Sequence, residues 1–300
     1  MKEAHLRDFI AVVAHGGVRA AARQLGLTQA AVSRNVLALE KSCGTQLLVR
    51  SRHGAELTES GRILLRGARA AAAELKKAQD DIDALSGERS GWVSIGVSPA
   101  IEALCMSEAI ERFRARFPSV LVRVTGGPTA STIPGLREGR LDFILGSAGR
   151  GRDDGLLKEQ LKVGELEVTT RSGHPLAGAT SLAELQHTEW VVGIPTGVPK
   201  AEMHAIYEQA GLPPPIVGVQ RDFISVVHLL SHSDRVAIVA KGSVQLFCDA
   251  GILRVLPLKD PLPLVPINLI TVAGRDLTPP AQALAAEFKR LIRQAPRPGR

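Results

Sequence analysis

Residues 20–50 read AAARQLGLTQAAVSRNVLALEKSCGTQLLVR, and this stretch decides how the rest of the chain is interpreted. Its alanine-rich first part predicts a helix that ends at Gly26, where glycine permits a sharp turn. Thr28 follows as the predicted N-cap of a second helix, which extends to Glu40. Two helices joined by a tight turn that contains glycine are typical of a helix-turn-helix. The apolar spacing of residues 6–13 predicts one more helix before them.

The second helix of this motif carries polar residues on the face away from its core, while Val32 and Val36 point inward. In a helix-turn-helix the N-terminal end of this helix enters the major groove of DNA. Glutamine pairs with adenine, arginine with guanine, and serine with either base. We therefore expect Gln29, Ser33 and Arg34 to contact bases.

A short hairpin is predicted directly after this helix. Residues 47–49 are placed to pair with Leu57 as two short strands. The loop between them contains Arg50 and Arg52, whose guanidinium groups are suited to phosphate contacts. On spacing alone, a compact three-helix domain with a solvated polar face remains the alternative.

The basic charge of the chain is concentrated in this N-terminal part. The chain of 300 residues has 37 Lys and Arg against 30 Asp and Glu, and residues 1–69 alone contain 11 and 5 of these. A concentrated basic patch attracts phosphate backbones, or less specifically an anionic membrane surface. Aromatic residues make up only 3% of the chain, which argues against a surface that stacks unpaired bases. Double-stranded DNA is therefore the expected partner.

The sequence argues against a membrane protein and against a metal-binding protein. No apolar run approaches the roughly 20 residues that span a bilayer, and the N-terminus lacks the apolar core of a signal peptide. We expect a cytoplasmic protein without a membrane partner. The three cysteines are far apart and include no Cys-x-x-Cys, so neither a disulfide framework nor a zinc cluster is predicted. We expect no cofactor and no bound metal.

A long helix is predicted to follow the hairpin, with Thr58 as its cap. Its apolar residues alternate steps of four and three, which is the spacing of a coiled-coil seam. A dimer through this helix would allow the chain to read two half-sites of DNA. An amphipathic helix that lies on its own domain is the alternative. The seam consists of Leu64, Ala68, Ala71, Leu75, Ala78, Ile82 and Leu85.

After a polar hinge at 86–91 the pattern changes to strands that alternate with helices, which indicates two α/β lobes with a ligand cleft between them. The predicted strands lie near 92–97, 120–124, 141–145, 166–170, 191–194, 216–219, 236–239 and 267–272. The predicted helices lie near 101–117, 131–138, 200–210, 223–231, 243–250 and 279–294.

Small and hydroxyl-bearing residues follow several of these strands. Ser98 and Pro99 follow the first strand, Gly127 and Thr129 the second, and Thr196 follows a strand of the other lobe. Hydroxyl groups and free backbone amides at helix starts bind anions. These five residues are therefore the predicted contacts of a small anion, such as a carboxylate or a sulfonate.

The 20–50 stretch, followed by ELTESG at 56–61, resembles the DNA-binding domain of LysR-type transcriptional regulators, and the rest of the chain resembles their effector domain. The resemblance implies base contacts by Gln29, Ser33 and Arg34, and wing or backbone contacts by Arg50 and Arg52. The sequence departs from the family pattern at Val18, where serine is usual, and at Ala30, where proline is common. Each departure costs about 1 kcal/mol of local helix stability.

The same resemblance implies an effector domain with the fold of type II periplasmic binding proteins. It adds the turn that holds Phe223 and Ser225 to the effector contacts, with Phe223 against the apolar body of the effector and Arg221 balancing its charge. It also implies that two dimers form a tetramer and that RNA polymerase is a partner. The segments SPAIEAL and LREGRLDF resemble the branch of the family that includes the toluenesulfonate regulator TsaR.

The predicted fold class is therefore α/β with an N-terminal, all-α winged helix-turn-helix domain, a long linker helix and a two-lobed effector domain. The predicted domains are 1–58 for DNA binding, 59–90 for the linker and hinge, and 91–300 for the effector, with lobe I at 91–161 and 267–300 and lobe II at 162–266.

The predicted function is ligand-responsive transcription regulation, and two other classes compete with it. One is a non-exported solute-binding protein, and the other is a DNA-tethered enzyme that acts on the same ligand. Residues 96–100 imitate a nucleophile elbow, but Ala100 replaces the final glycine and no His and Asp follow in a convincing order. His228 and His232 lack the glutamate of a His-Glu-x-x-His zinc motif. No catalytic residue is therefore predicted.

Overall fold

The structure, a computed structural model, describes residues 1–51, 54–85, 91–147, 155–193, 200–221 and 223–295. The chain forms two compact units. The first contains residues 1–89 with 137–140, and the second contains 90–136 with 141–300.

The first unit begins with three helices, α1 (Glu3–Ala14), α2 (Val18–Leu25) and α3 (Gln29–Cys43). Gly26 between α2 and α3 has φ 65°, the left-handed conformation that glycine adopts without a steric penalty. Oγ1 of Thr28 accepts a hydrogen bond of 3.2 Å from the amide of Ala31, as an N-cap does. The predicted helix-turn-helix is confirmed.

The hairpin and the long helix follow as β1 (Leu48–Ser51), β2 (Gly54–Leu57) and α4 (Glu59–Leu85). The two strands pair antiparallel, with Leu48 opposite Leu57. Thr58 caps α4 as predicted, because its hydroxyl accepts a hydrogen bond of 2.9 Å from the amide of Gly61. The core of this unit joins all of these elements, and its fully buried members include Phe9, Val12, Ala21, Val32, Leu39 and Leu47.

The first lobe of the second unit is built from β3 (Trp92–Val97), α5 (Pro99–Ile101), a π-helical segment (Glu102–Met106), α6 (Ser107–Arg116), β4 (Leu121–Gly126), α7 (Thr129–Arg137), β5 (Phe143–Gly146) and β6 (Leu156–Gly164). At the C-terminal end of the chain, β12 (Val265–Val272) and α11 (Pro279–Gln294) complete it. The sheet has the order β4-β3-β5-β12-β6, and its core packs against α6 and α11. Because β3 is parallel to β4 and β5, the carboxyl ends of these three strands meet at one edge.

The second lobe is built from β7 (Leu166–Arg171), a 3-10 turn (Ala183–Leu185), β8 (Glu189–Gly193), α8 (Lys200–Gln209), β9 (Ile216–Arg221), α9 (Phe223–Ser231), β10 (Val236–Ala240), α10 (Gln245–Asp249) and β11 (Leu253–Val255). Its sheet has the order β11-β7-β10-β8-β9, with β8 parallel to β9 and to β10. The predicted two-lobed α/β fold is therefore confirmed.

Strand β6 is not among the predicted strands, and because of it the first lobe extends beyond the residues at which it was predicted to end and to begin again. It pairs with β12 from Leu156 to Gly164, and Val265 lies opposite Gly164. The predicted boundaries after residues 161 and 266 therefore fall inside strands of the first sheet, which extends to 164 and begins again at 265. The alternation of β6 is hard to recognise because it is an edge strand with mostly exposed or half-buried side chains.

Candidate functional site

Helix α3 presents one buried and one exposed face. Val32 and Leu39 are fully buried in the core, whereas Gln29 and Arg34 are exposed and Ser33 is half-buried. At 100° per residue, Arg34 points away from Val32 and Leu39, and Ser33 lies at the edge of their face. Gln29, one turn before Ser33, is exposed at the start of the helix. The structure therefore places the three predicted base contacts on the accessible surface of the N-terminal half of α3.

A buried carboxylate fixes α3 to α1. Asp8 is fully buried, and its Oδ2 accepts a hydrogen bond of 2.7 Å from Nδ2 of Asn35, the residue after Arg34. Its Oδ1 accepts hydrogen bonds of 3.0 Å and 2.9 Å from the guanidinium of Arg7. A buried charge is stable only when it is paired in this way, so α3 has little freedom to rotate. Sequence analysis missed this pair, although an aspartate on the apolar face of α1 was a usable signal.

A second carboxylate ties the hairpin to the end of α3. Oε1 of Glu40 accepts hydrogen bonds from the amides of Leu47 at 2.8 Å and Leu48 at 3.1 Å. The backbone of Arg50 lies in β1 opposite Ala55. The side chain of Arg50 and all of Arg52 lie outside the described residues, so their predicted phosphate contacts stay predictions.

Helix α4 lies directly against this hairpin at Gly61. A Cβ atom at Gly61 would overlap the carbonyl of Leu47 and lie 3.0 Å from Cδ2 of Leu57. Only glycine allows this close approach, so the residue that looks like a weak point of the helix in the sequence is a packing requirement in the structure.

The predicted seam of α4 divides into two parts. Leu64 packs partly against the core of its own unit and Ala68 is buried. Further along, Leu75 and Ile82 are 58% and 56% exposed. The first turns of the helix therefore match the alternative of packing on its own domain, and in the later turns the apolar side chains of Leu75 and Ile82 are mostly exposed. The side chain of Leu85 lies outside the described residues.

The predicted ligand residues of the first lobe come together at the carboxyl ends of its parallel strands. Ser98 follows β3, and its amide donates a 2.9 Å hydrogen bond to the carbonyl of Leu145 in β5. Gly127 follows β4 with φ 133°, and its amide donates a 3.0 Å hydrogen bond to the carbonyl of Val97. Pro99 and Thr129 are buried and open α5 and α7. The parallel sheet therefore brings these four residues to one edge.

Gly146, which sequence analysis missed, shows how close two of them are. A Cβ atom at Gly146 would overlap Oγ1 of Thr129 and lie 3.3 Å from Oγ of Ser98. The two hydroxyl groups therefore border the same point at the end of β5. A glycine at the end of a third parallel strand was the signal in the sequence, because it leaves space where neighbouring loops converge.

A carboxylate lies at the end of β4, the strand on the other side of β3 from Gly146. Glu102 begins the π-helical segment, and its Oε1 lies 2.7 Å from the position that a Cβ atom would take at Gly126, the last residue of β4. Partial burial raises the pKa of the Glu102 carboxyl above its ordinary value. Its negative charge disfavours a second anion on that side, a feature that the sequence reasoning did not include.

The predicted residues of the second lobe are only partly described. Arg221 ends β9 opposite Gly193 of β8, so these two parallel strands end at the same edge of the sheet. Phe223 and Ser225 lie in the first turn of α9, and both are half-buried. The ring of Phe223 packs against the apolar core of this lobe. Thr196 and the side chain of Arg221 lie outside the described residues.

The described residues form neither a nucleophile elbow at Ser98 nor a cluster of metal ligands. Ser98 has an extended backbone, φ −79° and ψ 152°, and not the strained turn of a nucleophile elbow. Within the described ranges no group of three metal-ligating side chains comes together, and no helix is long and apolar enough to cross a membrane.

Two cavities lie in the second lobe, away from the predicted ligand residues. One of about 410 Å³ is beside Cys248 and Arg254, and one of about 320 Å³ is beside Glu167 and Asp260. Burial raises the pKa of the Cys248 thiol, so the thiol stays protonated at neutral pH.

The winged helix-turn-helix and the two-lobed unit together define a class of protein, a transcription regulator that carries its own ligand-binding domain. Residues 4–62 match the model of the bacterial regulatory helix-turn-helix protein of the lysR family. Residues 86–293 match the LysR substrate binding domain. The chain therefore belongs to the LysR family, and it is a DNA-binding transcriptional regulator with an effector-binding domain and not an enzyme.

Relatives support this assignment, and solved structures show a similar fold, over most of the chain. The regulator TdcA of Escherichia coli K12 is 29% identical over 289 residues, which cover 96% of this chain and 87% of TdcA. The regulator GalR of Pseudomonas putida is 31% identical over 291 residues, which cover 96% of this chain and 73% of GalR. Full-length CbnR in complex with its target DNA has a similar fold, with a TM-score of 0.68, 21% identity, and coverage of 97% of this chain and 100% of CbnR.

Proposed function

We propose that this regulator reads an operator with Gln29, Ser33 and Arg34 in the major groove, while Arg50 and Arg52 of the hairpin contact phosphates. The observation that carries the proposal is the exposed side of α3, which the Asp8 and Glu40 hydrogen bonds hold in a fixed orientation. A helix that is already held in place does not have to be ordered when its side chains bind bases, which lowers the entropy cost of binding. The solved complex of CbnR with its target DNA supports this use of the fold.

The effector in this proposal is a small anion that the hydroxyls of Ser98 and Thr129 bind at the point bordered by Gly146. The N-terminal end of α7, which Thr129 opens, adds positive electrostatic potential there. Glu102 opposes a negative charge near Gly126, so the anionic group lies on the Ser98 side and the rest of the effector extends away from Glu102. The remaining predicted contacts, in both lobes, are Pro99, Gly127, Thr196, Arg221, Phe223 and Ser225. The resemblance to the toluenesulfonate branch makes a sulfonate one candidate.

The regulator in this proposal is a cytoplasmic homo-oligomer. The exposed stripe at Leu75 and Ile82 supports a dimer through α4, because burial of such a stripe between two helices is favourable. Association of two dimers into a tetramer, and contact with RNA polymerase, follow from the family resemblance. Effector binding changes DNA binding only if the effector prefers one arrangement of the oligomer over another.

The DNA part of the proposal is tested with duplexes selected from a random pool by the full chain. Replacement of Arg34, as Arg34→Ala, is expected to weaken binding to the selected duplex by about fivefold to 160-fold, because a bidentate contact with guanine is worth about 1–3 kcal/mol. The matched control is Arg114→Ala, which removes the same charge from the exposed side of α6. Equal affinities of Arg34→Ala and Arg114→Ala would exclude Arg34 from the interface.

A further inference from the structure

Leu37 lies in the middle of α3 and exposes 63% of its surface. A single exposed leucine is common in proteins and has no meaning by itself. The role of Leu37 is therefore inferred from its position relative to the polar residues of the same helix.

Helical geometry places Leu37 on the DNA-facing side of α3. It comes three residues after Arg34 and four after Ser33, so the three side chains are neighbours on the surface of the helix. Val32 and Leu39, on the opposite side, are fully buried. Leu37 thus continues the row of predicted base contacts by one turn toward the C-terminal end.

This leucine cannot turn away into its own core. The residue two positions before it, Asn35, is hydrogen-bonded to the buried Asp8, and Val36 is buried. Three positions after it, Glu40 holds the amides of Leu47 and Leu48. The helix is anchored on both sides of Leu37, so its apolar side chain stays on the exposed face.

We infer that Leu37 contacts the C5 methyl group of a thymine in the operator and helps to determine which base the regulator accepts there. The inference rests on the proposed use of α3 in the major groove. The thymine methyl is the apolar feature of the base edges in that groove, and an apolar side chain recognises it by contact. Leucine has no hydrogen-bonding group, so it selects the methyl group while Gln29 and Arg34 read the polar edges.

The test removes one methyl group at a time from the DNA. The full chain is used to select a duplex from a random pool, and each thymine of that duplex is then replaced singly by deoxyuridine, which pairs identically but lacks the methyl group. Fluorescence anisotropy gives the dissociation constant of each duplex. We expect one thymine in a half-site whose replacement weakens binding by about fourfold, the effect of leaving one methyl group unburied.

The protein side of the test uses Leu37→Ala, which changes an exposed residue and leaves the core intact. The expected result is weaker binding of the unmodified duplex and loss of the deoxyuridine effect at that thymine. Leu104→Ala is the control, since Leu104 is 44% exposed in the second unit, and it is expected to retain the effect.

The remaining outcomes separate this inference from the proposed function. If no single deoxyuridine weakens binding, or if the effect persists in Leu37→Ala, the inference is wrong, while a weaker Arg34→Ala still supports DNA reading by α3. If Leu37→Ala changes the oligomeric state in sedimentation and leaves the deoxyuridine effect intact, Leu37 is a protein contact. If no duplex is enriched, the proposed function fails and the inference fails with it.

Discussion

At the scale of single residues, two glycines show close contacts that the polar residues of the candidate site do not show. Ser98 and Thr129 were predicted because they follow strands, but the sequence could not show that their hydroxyls border one point. Gly146 shows it, because a Cβ atom there would overlap one hydroxyl and approach the other. The same holds for Gly61, whose lack of a side chain matters only because the carbonyl of Leu47 is its neighbour. Contacts of this kind join residues far apart in the chain, so no local pattern predicts them.

Gly146→Ala is expected to abolish the response to an anionic effector and to leave operator affinity unchanged, because the added methyl group occupies the point between the two hydroxyls. Thermal shift measures effector binding across a panel of carboxylates and sulfonates, and anisotropy measures DNA binding. Gly178→Ala is the control, since a Cβ atom there meets no atom within 4 Å. An unchanged set of ligand shifts in Gly146→Ala would remove this point from the effector site.

Glu102→Gln is expected to raise thermal stability at pH 7 and to have little effect near pH 4. The pKa of Glu102 is raised in the folded protein, so the folded state binds this proton more readily than the unfolded state. The contribution of Glu102 to the free energy of unfolding therefore falls as the pH rises from about 4.5 through the higher pKa that this carboxyl has in the folded protein. Glutamine has no charge to desolvate and removes this loss.

Melting temperatures of wild type, Glu102→Gln and the control Glu111→Gln, on the exposed side of α6, check the expectation at both pH values. The same Glu102 variant should also bind an anionic ligand more tightly at pH 7. A lower melting temperature than wild type at pH 7 would mean that the carboxylate makes a favourable contact.

At the scale of elements, the positions of the helices were well predicted, whereas two edge strands, β6 and β11, were not. Helices α9 and α11 begin and end at the predicted residues, because apolar spacing marks both in the sequence and Thr278 caps α11. Strand β6 has no comparable signal, since its polar side chains face solvent and its partner β12 comes about a hundred residues later. Pairing over such a distance is a property of the fold and is not visible in either segment alone.

Helix α4 offers a test at this scale. Leu75→Glu is expected to convert the dimer to a monomer in sedimentation, because a charge in an apolar seam has no partner when two helices approach. Arg66→Glu, on the opposite side of the same helix, introduces the same side chain and should leave the dimer intact. A dimer that survives Leu75→Glu would place the interface elsewhere and favour the alternative that α4 only packs on its own domain.

At the scale of the whole molecule, the sequence predicted the type and order of the domains because the decisive signals are local. The glycine turn, the Thr28 and Thr58 caps and the basic surplus of the first 69 residues all lie in short segments. The ligand site depends on which strands are adjacent in each sheet, and the two sheets take strands from distant parts of the chain. The candidate residues of the first lobe could therefore be predicted by residue type, but Gly146 and Glu102, which lie at the ends of the same strands in the structure, could not.

The central claim, that the basic first unit reads duplex DNA, is tested most directly by the salt dependence of binding. The affinity of the full chain for its selected duplex is measured by anisotropy between about 50 and 200 mM salt. Because contacts with phosphates release counterions, we expect the logarithm of the association constant to fall linearly with the logarithm of salt concentration, by about three orders of magnitude over this range. An affinity that does not change with salt would contradict the account.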